Sequence, residues 1–300
     1  MGAERPTYSW VIPVLDEEEV LPELHRRLSE TAAQLDGTSE FILVDDGSSD
    51  RSSEVALQLR DRDPRLKLVA LSRNFGHQLA ITAGIDAAAG DAVIVMDADL
   101  QDPPEIALEM AARWREGFDL VHGVRLSRKG ESAFKRHTAH AFYRLLNRAS
   151  EVDMPLDSGD FRLLDRRVAD VVRSMREPSR YLRGLFAWVG FRQTSVSYER
   201  DERYAGDTKF SLTRMASFAV DGLVGFSTAP LRLALGLGLL ISALAFAAGL
   251  AAIVLKLTGA YTISGWASLT VMISFFSGVQ LLMLGAVGQY VGRIYEQGKA

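Results

Sequence analysis

The chain has 300 residues, enough for one or two domains with a sizeable hydrophobic core. Hydrophobic residues make up 48% of the chain and charged residues 24%, which is typical of a globular protein and excludes a disordered one. The net charge of −4 argues against nucleic acid as a partner, and the lack of cysteine excludes disulfides, thiol nucleophiles and thiolate metal centres.

Short apolar runs alternate with helical patterns through the first half of the chain. Runs of Val, Ile and Leu bounded by Asp, Gly or Pro are typical of strands buried on both faces of a parallel sheet. Strands are predicted at 8–15, 40–44, 66–71, 92–96 and 119–124, with helices between them at 17–34, 52–60, 78–88 and 104–116. This alternation predicts an α/β doubly wound sheet, in which ligands bind at the carboxyl ends of the strands.

The residues that follow the predicted strands are mostly acidic. Asp45 and Asp46 follow the second strand, and Asp97 and Asp99 follow the fourth. No G-x-G-x-x-G motif follows a strand, and no G-x-x-x-x-G-K-[ST] motif is present, so the glycines of a dinucleotide site or a P-loop are missing. A carboxylate edge repels phosphate, so a divalent cation has to lie between the two. Hard oxygen ligands favour Mg²⁺ or Mn²⁺.

Asp97 and Asp99 are the sharpest metal candidates. Residues two apart in an extended chain point to the same side, so the two carboxylates converge on one ion and Gln101 continues that face. Asp102 is interpreted differently, because it precedes two prolines and Glu105 in the pattern of a helix N-cap.

Other polar residues near these strands have an ordinary structural role as their first interpretation. Ser49 or Asp50 is predicted to cap the helix after the second strand, which leaves one of Asp45 and Asp46 to meet a ribose or a base. His77 follows a glycine, and we interpret it as a capping or packing residue rather than a ligand.

Residues 229–300 differ from the rest of the chain. They carry four basic side chains and one acid, whereas the first 228 residues hold 30 basic and 37 acidic side chains. The uncharged runs 233–255 and 257–292 are each long enough to cross the roughly 30 Å hydrocarbon core of a bilayer. They predict a membrane domain at 229–300 with two transmembrane helices, at about 231–255 and 266–288. Since no signal-peptide pattern is recognised, we expect a multi-pass protein of the cell membrane with its body and both termini in the cytoplasm.

A basic segment precedes this membrane domain. Residues 125–148 hold seven Lys or Arg and one acid, and their apolar residues share one helical side. The pattern predicts an amphipathic helix near 132–149 on the bilayer surface, with an ordinary surface helix packed on the sheet as the alternative. A juxtamembrane helix is predicted at 211–228. Glycines in the two spans allow close helix packing, so a homo-oligomer is compatible with the sequence.

Taken together, the motifs resemble those of the polyprenyl-phosphate glycosyltransferases of glycosyltransferase family 2, which include bactoprenol glucosyltransferases and dolichol-phosphate mannose synthases. The matching segments cover nearly the whole chain. In order they are VIPV at 11–14, VDDGSSD at 44–50, SRNFGHQ at 72–78, DADLQDPP at 97–104, DSGDFRL at 157–163 and RYAGDTKF at 203–210. The resemblance implies a GT-A (Rossmann-like) nucleotide-sugar-binding domain at 1–210.

The resemblance also implies roles for individual residues. The nucleotide part of a nucleotide-sugar donor would be bound by Pro13, Glu17, Asp45, Asp46, Arg73 and Asp97. A Mg²⁺ or Mn²⁺ ion on the diphosphate would be held by Asp99 and Gln101 with Asp97. Arg203 and Lys209 would bind phosphates from a mobile loop, and Asp157 would lie near the acceptor.

The implied activity is an inverting transfer of a hexose to undecaprenyl phosphate or another polyprenyl phosphate, with glucose from UDP-glucose as the first expectation. Transfer of mannose or a modified sugar is the alternative, and a non-catalytic membrane scaffold or lipid-sugar translocator is a remote one. A phosphate monoester has a second pKa of about 6 and is already nucleophilic at pH 7. Asp157 is therefore interpreted as an organising residue more than an obligatory base.

Overall fold

The structure is a computed structural model that describes residues 6–126, 158–175, 182–199 and 266–297, with isolated residues between 236 and 258. The chain divides into two compact units, Met1–Leu145 with Val152–Met215 and Leu146–Glu151 with Ala216–Ala300. The helices predicted near 132–149 and at 211–228 lie outside the described residues, and so does most of the span predicted at 231–255.

The first unit is built on a seven-stranded sheet with the order β3-β2-β1-β4-β6-β5-β7. The strands are β1 (Tyr8–Val14), β2 (Ser39–Asp45), β3 (Leu66–Ala70), β4 (Ala92–Val95), β5 (Leu120–Arg125), β6 (Ser158–Asp165) and β7 (Gln193–Tyr198). All five predicted strands are present. Strands β1 to β4 are parallel, but β6 runs antiparallel between β4 and β5. The domain is therefore a GT-A-like α/β domain with a mixed sheet, and the predicted parallel arrangement holds for β1 to β4.

Strands β6 and β7 were not predicted, because neither carries the apolar run of a buried parallel strand. The sequence of β6 is SGDFRLLD, and its charged residues Asp160 and Arg162 are buried. The sequence of β7 is QTSVSY, in which only Val196 and Tyr198 are buried. Buried charges are tolerated only where partners are close, and those partners come from distant parts of the chain.

Six helices belong to the described part of this unit: α1 (Leu21–Ala32), α2 (Ser52–Arg62), α3 (His77–Ala87), α4 (Ile106–Arg115), α5 (Arg166–Ser174) and α6 (Leu182–Trp188). The four predicted helices correspond to α1 to α4. Helix α1 begins later than predicted: residues 18–20 form a turn, and the backbone N–H groups of Glu17 and Glu18 donate to Ser52 and Asp50. Helix α3 packs closely on β1, where a Cβ atom on Gly84 would clash with Val11.

The strand register places the carboxyl ends of three strands at one edge of the sheet. Val14 of β1 pairs with Asp45 of β2, and Val11 of β1 pairs with Val95 of β4. The segments 15–18, 46–51 and 97–102 therefore leave the sheet at the same edge. The strands themselves belong to a core in which Trp10 and other large apolar side chains are fully buried.

The second unit contains α7 (Trp266–Gln297), a helix of 32 residues. Within the described residues, Phe275–Gly292 is the one stretch of helix long and apolar enough to cross a membrane. Helix α7 contains the predicted span at 266–288 and continues about two turns beyond it. The pair of spans is thus not confirmed, and the span at 231–255 stays a prediction.

Candidate active site

Hydrogen bonds join the segments that follow β1 and β2. The Asp16 carboxylate accepts the Ser49 backbone N–H at 2.7 Å, and the Glu17 backbone N–H donates to Ser52 Oγ at 2.8 Å. Asp16 has a φ of 51°, a left-handed conformation that Asp adopts more readily than most residues. This junction fixes the position of Glu17, which is half-buried, next to the end of β1, where Pro13 is buried.

Asp45 and Asp46 are both buried and both bind the protein itself. Asp45 accepts hydrogen bonds from the Ser48 backbone N–H, at 2.9 Å, and from the Ser53 hydroxyl. Asp46 accepts the backbone N–H groups of Phe75 at 2.7 Å and Gly76 at 2.9 Å. The sequence analysis expected one of these two carboxylates to be left for a ribose or a base, whereas both accept hydrogen bonds from the protein. A carboxylate has about four acceptor sites, so a further bond to a ribose hydroxyl remains compatible with this geometry.

Gly47 brings the segment after β2 against the backbone that precedes α3. Its φ is +73°, and a Cβ atom there would lie 2.5 Å from the carbonyl carbon of Arg73 and 2.6 Å from the backbone nitrogen of Asn74. The Arg73 side chain is exposed, and its guanidinium lies 4.3 Å from the centre of the Phe75 ring. Asp46 and Gly47 thus position this segment, and Arg73 stands on its exposed side.

The predicted cap of α2 is only partly as expected. The residue before the helix is Arg51, and it makes no side-chain cap bond. Asp50 nevertheless accepts the backbone N–H of Ser52, the first residue of α2, at 2.9 Å. It also accepts the backbone N–H of Glu18 at 3.1 Å, so it serves the helix and the junction with the segment after β1 together.

Asp97 follows β4 and lies between two basic side chains. Its Oδ1 is 3.4 Å from His77 Nε2, and its Oδ2 is 3.9 Å from Nη2 of Arg125. His77 is the first residue of α3, and its Nε2 also lies 3.1 Å from Asp160 Oδ2 on β6. One ligand atom from each of His77, Asp97 and Asp160 lies within 4.8 Å of the others, so the three side chains could hold a metal ion.

The donor set at this point fits a hard divalent cation. Asp97 Oδ1 is buried and accepts no hydrogen bond in the part of the chain that the structure describes. A buried carboxylate oxygen without a hydrogen bond is costly unless a cation reaches it. Carboxylate oxygens favour Mg²⁺ or Mn²⁺ over softer metals.

The charge at Asp97 is compensated by His77 in the described structure. Burial by itself lowers the pKa of His77, but the hydrogen bond to Asp160 and the charges of Asp97 and Asp160 outweigh it and raise this pKa to about 9. Burial raises the pKa of the Asp97 carboxyl, which the charge of His77 opposes and the neighbouring carboxylates reinforce. A protonated imidazole and a metal cation would therefore compensate the same carboxylate.

Asp160 is the centre of a buried network of ions. Its two oxygens accept hydrogen bonds from Nε of Arg183 at 2.9 Å and Nη2 at 3.1 Å, and Nη2 of Arg162 lies 3.5 Å away. Burial would raise the pKa of Asp160, but Arg183 and His77 hold it well below its usual value. The Arg162 guanidinium also lies 4.5 Å from the centre of the Phe186 ring. The network therefore joins β6, α3 and α6 around one carboxylate.

Asp99 and Gln101 lie between β4 and α4. Asp99 is buried, and its Oδ1 accepts the Gln101 backbone N–H at 3.2 Å. Leu100 between them has a left-handed φ of 57°, and its side chain is buried in the core. The structure brings Asp97 together with His77 and Asp160, while the roles of Asp99 and Gln101 as metal ligands stay predictions.

Asp102 does not have the role that the sequence predicted. Helix α4 begins after Glu105, which makes no side-chain cap bond. Asp102 is fully buried and accepts hydrogen bonds from Nη2 of Arg125 at 2.8 Å and from the Tyr198 hydroxyl at 2.7 Å. Asp102, which the local pattern assigned to the start of the helix, is thus paired with Arg125 from a distant strand.

Three predicted site residues, Asp157, Arg203 and Lys209, lie outside the described residues, so their roles stay predictions. The structure in turn adds residues to the site that the sequence analysis did not single out. Asp160 and Arg162 stand two apart in the 157–163 segment, and the opposite charges of these two residues are the one local sign of the network. Arg125 and Arg183 carry no comparable local sign.

The fold and the acidic edge of the sheet can now be set beside what a comparison of this sequence with known proteins shows. The profile of Glycosyl transferase family 2 matches residues 9–173, more than half of the chain. The chain belongs to glycosyl transferase family 2. The resemblance inferred from its motifs is confirmed, and the protein is a glycosyltransferase.

Relatives of this family 2 member match it over nearly their whole length. An uncharacterized glycosyltransferase of Bacillus subtilis (strain 168) is 49% identical over 97% of this chain and 90% of its own. The bactoprenol glucosyl transferase of Shigella phage SfII is 37% identical over 96% of this chain and 93% of its own. A crystal structure of glucosyl-3-phosphoglycerate synthase from Mycobacterium tuberculosis, with Mn²⁺, UDP-glucose and phosphoglyceric acid, is 20% identical, covers 73% of this chain and 78% of its own, and has a TM-score of 0.47.

Proposed function

We propose that this family 2 glycosyltransferase moves a hexose, in the first place glucose from UDP-glucose, to undecaprenyl phosphate or another polyprenyl phosphate with inversion of the anomeric centre. The observation that carries the proposal is the buried Asp97 Oδ1, which accepts no hydrogen bond among the described residues at the acidic edge of the sheet. Such an edge accepts a diphosphate through a divalent cation. Relatives named bactoprenol glucosyl transferase, 37% identical over 96% of the chain, support the sugar and the acceptor.

In this proposal, Asp99 and Gln101 with Asp97 hold Mg²⁺ or Mn²⁺. The ion would neutralise the negative charge that develops on the leaving nucleoside diphosphate. The nucleoside is bound between the segments after β1 and β2 by Pro13, Glu17, Asp45 and Asp46, with Arg73 at the exposed side. Arg203 and Lys209 bind the phosphates from a loop whose closure excludes water and limits hydrolysis of the donor.

The chemistry follows from the acceptor. A phosphate oxygen of the lipid attacks the anomeric carbon, and the bond from that carbon to the diphosphate oxygen breaks with its electron pair going to the diphosphate. One displacement inverts the anomeric centre, so an α-linked donor gives a β-linked product. The phosphate dianion loses no proton in this step, which is why Asp157 is proposed to position the acceptor rather than to act as an essential base.

The acceptor also requires a membrane. Helix α7 supplies one stretch that is apolar enough to span it, and the proposed second helix at about 231–255 returns the chain to the cytoplasmic side. The basic segment near 132–149 would lie at the lipid surface and attract the phosphate head group. The body and both termini are then cytoplasmic, and packing of the spans is compatible with a homo-oligomer.

The experiment that tests the proposal is a panel of donors. The full chain in detergent micelles is given UDP-glucose, UDP-N-acetylglucosamine, UDP-galactose or GDP-mannose with a short polyprenyl phosphate and Mn²⁺, and the lipid product is identified by mass spectrometry. Glucosyl phosphoryl lipid from UDP-glucose is the expected result. A lipid product formed from GDP-mannose alone would show that the donor sugar is mannose and not glucose. Release of free sugar without lipid product from every donor would contradict the proposed acceptor. A reaction without lipid measures background hydrolysis.

A further inference from the structure

Asp102, Arg125 and Tyr198 form a buried cluster at the far end of the segment that carries Asp97 and Asp99. The Asp102 carboxylate accepts both Nη2 of Arg125, at 2.8 Å, and Nε, at 3.2 Å, together with the Tyr198 hydroxyl at 2.7 Å. Arg125 and Tyr198 are the last residues of β5 and β7, and they pair across those two parallel strands. One carboxylate is thereby bound to the ends of two neighbouring strands.

Two glycines leave room for this cluster. A Cβ atom on Gly159 would lie 2.6 Å from Nη2 of Arg125, and one on Gly123 would lie 3.0 Å from Cε1 of Tyr198. The guanidinium and the phenol ring therefore fill space that side chains on β6 and β5 would otherwise occupy. A buried ion pair adds little net stability compared with apolar residues of the same volume. Stability alone is thus a weak reason for a charged cluster here.

Arg125 contacts both ends of the segment 97–102. Its Nη2 lies 2.8 Å from Asp102 Oδ2 and 3.9 Å from Asp97 Oδ2. Between these ends, Leu100 holds a left-handed φ of 57° with its side chain in the core. The segment is therefore fixed at its first residue, in its middle and at its last residue, and the cluster provides two of these three attachments.

We propose that Asp102, Arg125 and Tyr198 act as a brace that positions the 97–101 segment for the metal and the donor diphosphate. The brace rests on the proposed function, since it acts through the proposed metal ligands. Asp102 is fully buried and Tyr198 is 3% exposed, so both are positioning residues that act through the segment rather than by touching the donor. Residues that orient metal ligands in this way typically change metal affinity by about 10- to 100-fold when they are mutated.

Tyr198→Phe is the sharpest variant, because it removes one hydroxyl and keeps the ring that packs edge-on against Phe161 at 5.8 Å. The chain offers a matched control in Tyr8→Phe. The Tyr8 ring is fully buried and packs edge-on against Trp114 at 5.8 Å, and its hydroxyl accepts a hydrogen bond from Arg115 at 2.7 Å. Tyr8 is the first residue of β1, at the opposite end of that strand from the site.

A second pair of variants tests the guanidinium. Arg125→Lys keeps the charge and removes the two parallel hydrogen bonds to Asp102. Arg27→Lys is its control, since the half-buried Arg27 makes the same double contact, at 3.1 and 2.7 Å, with the exposed carboxylate of Glu105. This pair keeps the proposal testable without Asp102→Asn, which removes the charged acceptor that Arg125 is hydrogen-bonded to and threatens folding.

The full chain in detergent micelles is titrated with Mn²⁺ and UDP by calorimetry, and hydrogen exchange of the peptide 97–102 is measured without metal. Tyr198→Phe and Arg125→Lys should weaken Mn²⁺–UDP binding by about tenfold and speed exchange of that peptide, while both controls bind as the wild type does. Unchanged binding in Tyr198→Phe and Arg125→Lys, or equal weakening in a variant and its control, would overturn the brace and leave the proposed function in place. A wild-type chain that binds neither Mn²⁺ nor UDP would overturn both.

Discussion

His77 Nε2 and Asp160 Oδ2 lie 3.1 Å apart and join residues 83 positions apart in the sequence. The contact attaches the start of α3 to β6, a strand whose antiparallel direction and buried charges set it apart from β1 to β4. The chain segment before α3 is also held by Asp46, directly after β2, which accepts the backbone N–H groups of its last two residues, Phe75 and Gly76. The exposed residues of that segment are thereby presented by a rigid frame at the acidic edge of the sheet.

Loss of the Asp160 charge should destabilise the first unit strongly. Asp160→Asn removes the charge that faces the buried Arg162 at 3.5 Å and the charged acceptor of two Arg183 hydrogen bonds, and breaking a buried ion network in this way costs about 3–5 kcal/mol. Urea unfolding followed by tryptophan fluorescence measures the change. Asp170→Asn is the control, because Asp170 is 55% exposed on α5 and its pairs with Arg166 and Arg173 contribute about 0.5 kcal/mol or less. A loss for Asp160→Asn no larger than that of the control would contradict the network.

Gly47→Ala should displace the segment before α3 and weaken nucleotide binding. The added Cβ meets the Arg73 backbone at 2.5 Å, and a left-handed φ of +73° costs an alanine about 1–2 kcal/mol by itself. Gly190→Ala separates the two effects, since its φ is +71° but its nearest neighbouring atom lies 3.9 Å from the new Cβ. Both variants should lower the melting temperature, and only Gly47→Ala should weaken UDP binding in a calorimetric titration. Equal UDP affinity in the two variants would contradict the importance of the close contact.

How far the sequence predicts this fold depends on the range of the interactions that decide each element. Strands β1 to β5 were predicted because their apolar runs and the turn residues around them are local signals. Strand β6 was missed because its buried Asp160 and Arg162 are tolerated only through partners on α3 and α6. A pattern within β6 cannot reveal partners that lie far along the chain.

The same reasoning separates the site predictions. Asp97 was placed correctly at the acidic edge because it directly follows a strongly apolar strand. Asp102 was assigned wrongly because the two prolines after it are a good local sign of a helix start, whereas Arg125 comes from another strand. The interpretation of His77 as a capping or packing residue did not include its contact with Asp160, because β6 lies 83 positions further along the chain.

His122 should make stability fall as the pH falls. It is buried in β5, with Nε2 2.9 Å from the Gln193 side-chain oxygen, and burial together with the charge of Arg162 lowers its pKa to about 4 despite that hydrogen bond. The unfolded chain, with a pKa near 6.5, takes up the proton first as the pH falls. The contribution of neutral His122 to the free energy of unfolding is therefore fully present above pH 6.5, and about 3 kcal/mol of it is lost between that pH and pH 4.

The control for this effect is the variant His122→Gln, which lacks the titrating group. Urea unfolding at several pH values between 7.5 and 4.5 should show the wild type losing its advantage over the variant as the pH falls. The pH dependence that His77 contributes has the opposite sign. Because its pKa is raised in the folded chain, its contribution to the free energy of unfolding is fully present below pH 6.5 and is lost as the pH rises through about 9. A difference between wild type and His122→Gln that does not change with pH would contradict the assignment.

Asp99→Asn should remove a proposed metal ligand and keep the shape of the side chain. Transfer should fall by about a hundredfold or more, because the diphosphate loses the charge that stabilises it as a leaving group, while the melting temperature changes little. EDTA should have the same effect on the wild type, and Mg²⁺ or Mn²⁺ should restore activity. Glu109→Gln, at an exposed position of α4, is the control and should transfer as the wild type does. Full wild-type activity in EDTA would rule out the metal.

Asp157→Asn distinguishes an acceptor-positioning residue from a general base. A phosphate monoester has a second pKa of about 6, so kcat/KM should rise with pH through that value because the dianion is the nucleophile. The variant should lower the rate and keep this rise, since the replacement removes a charge proposed to lie near the acceptor without removing the ionisation of the lipid phosphate itself. Rates measured from pH 5 to 8 with saturating UDP-glucose and Mn²⁺ test this. Complete loss of transfer at every pH in a variant that still binds UDP would instead identify Asp157 as an essential base.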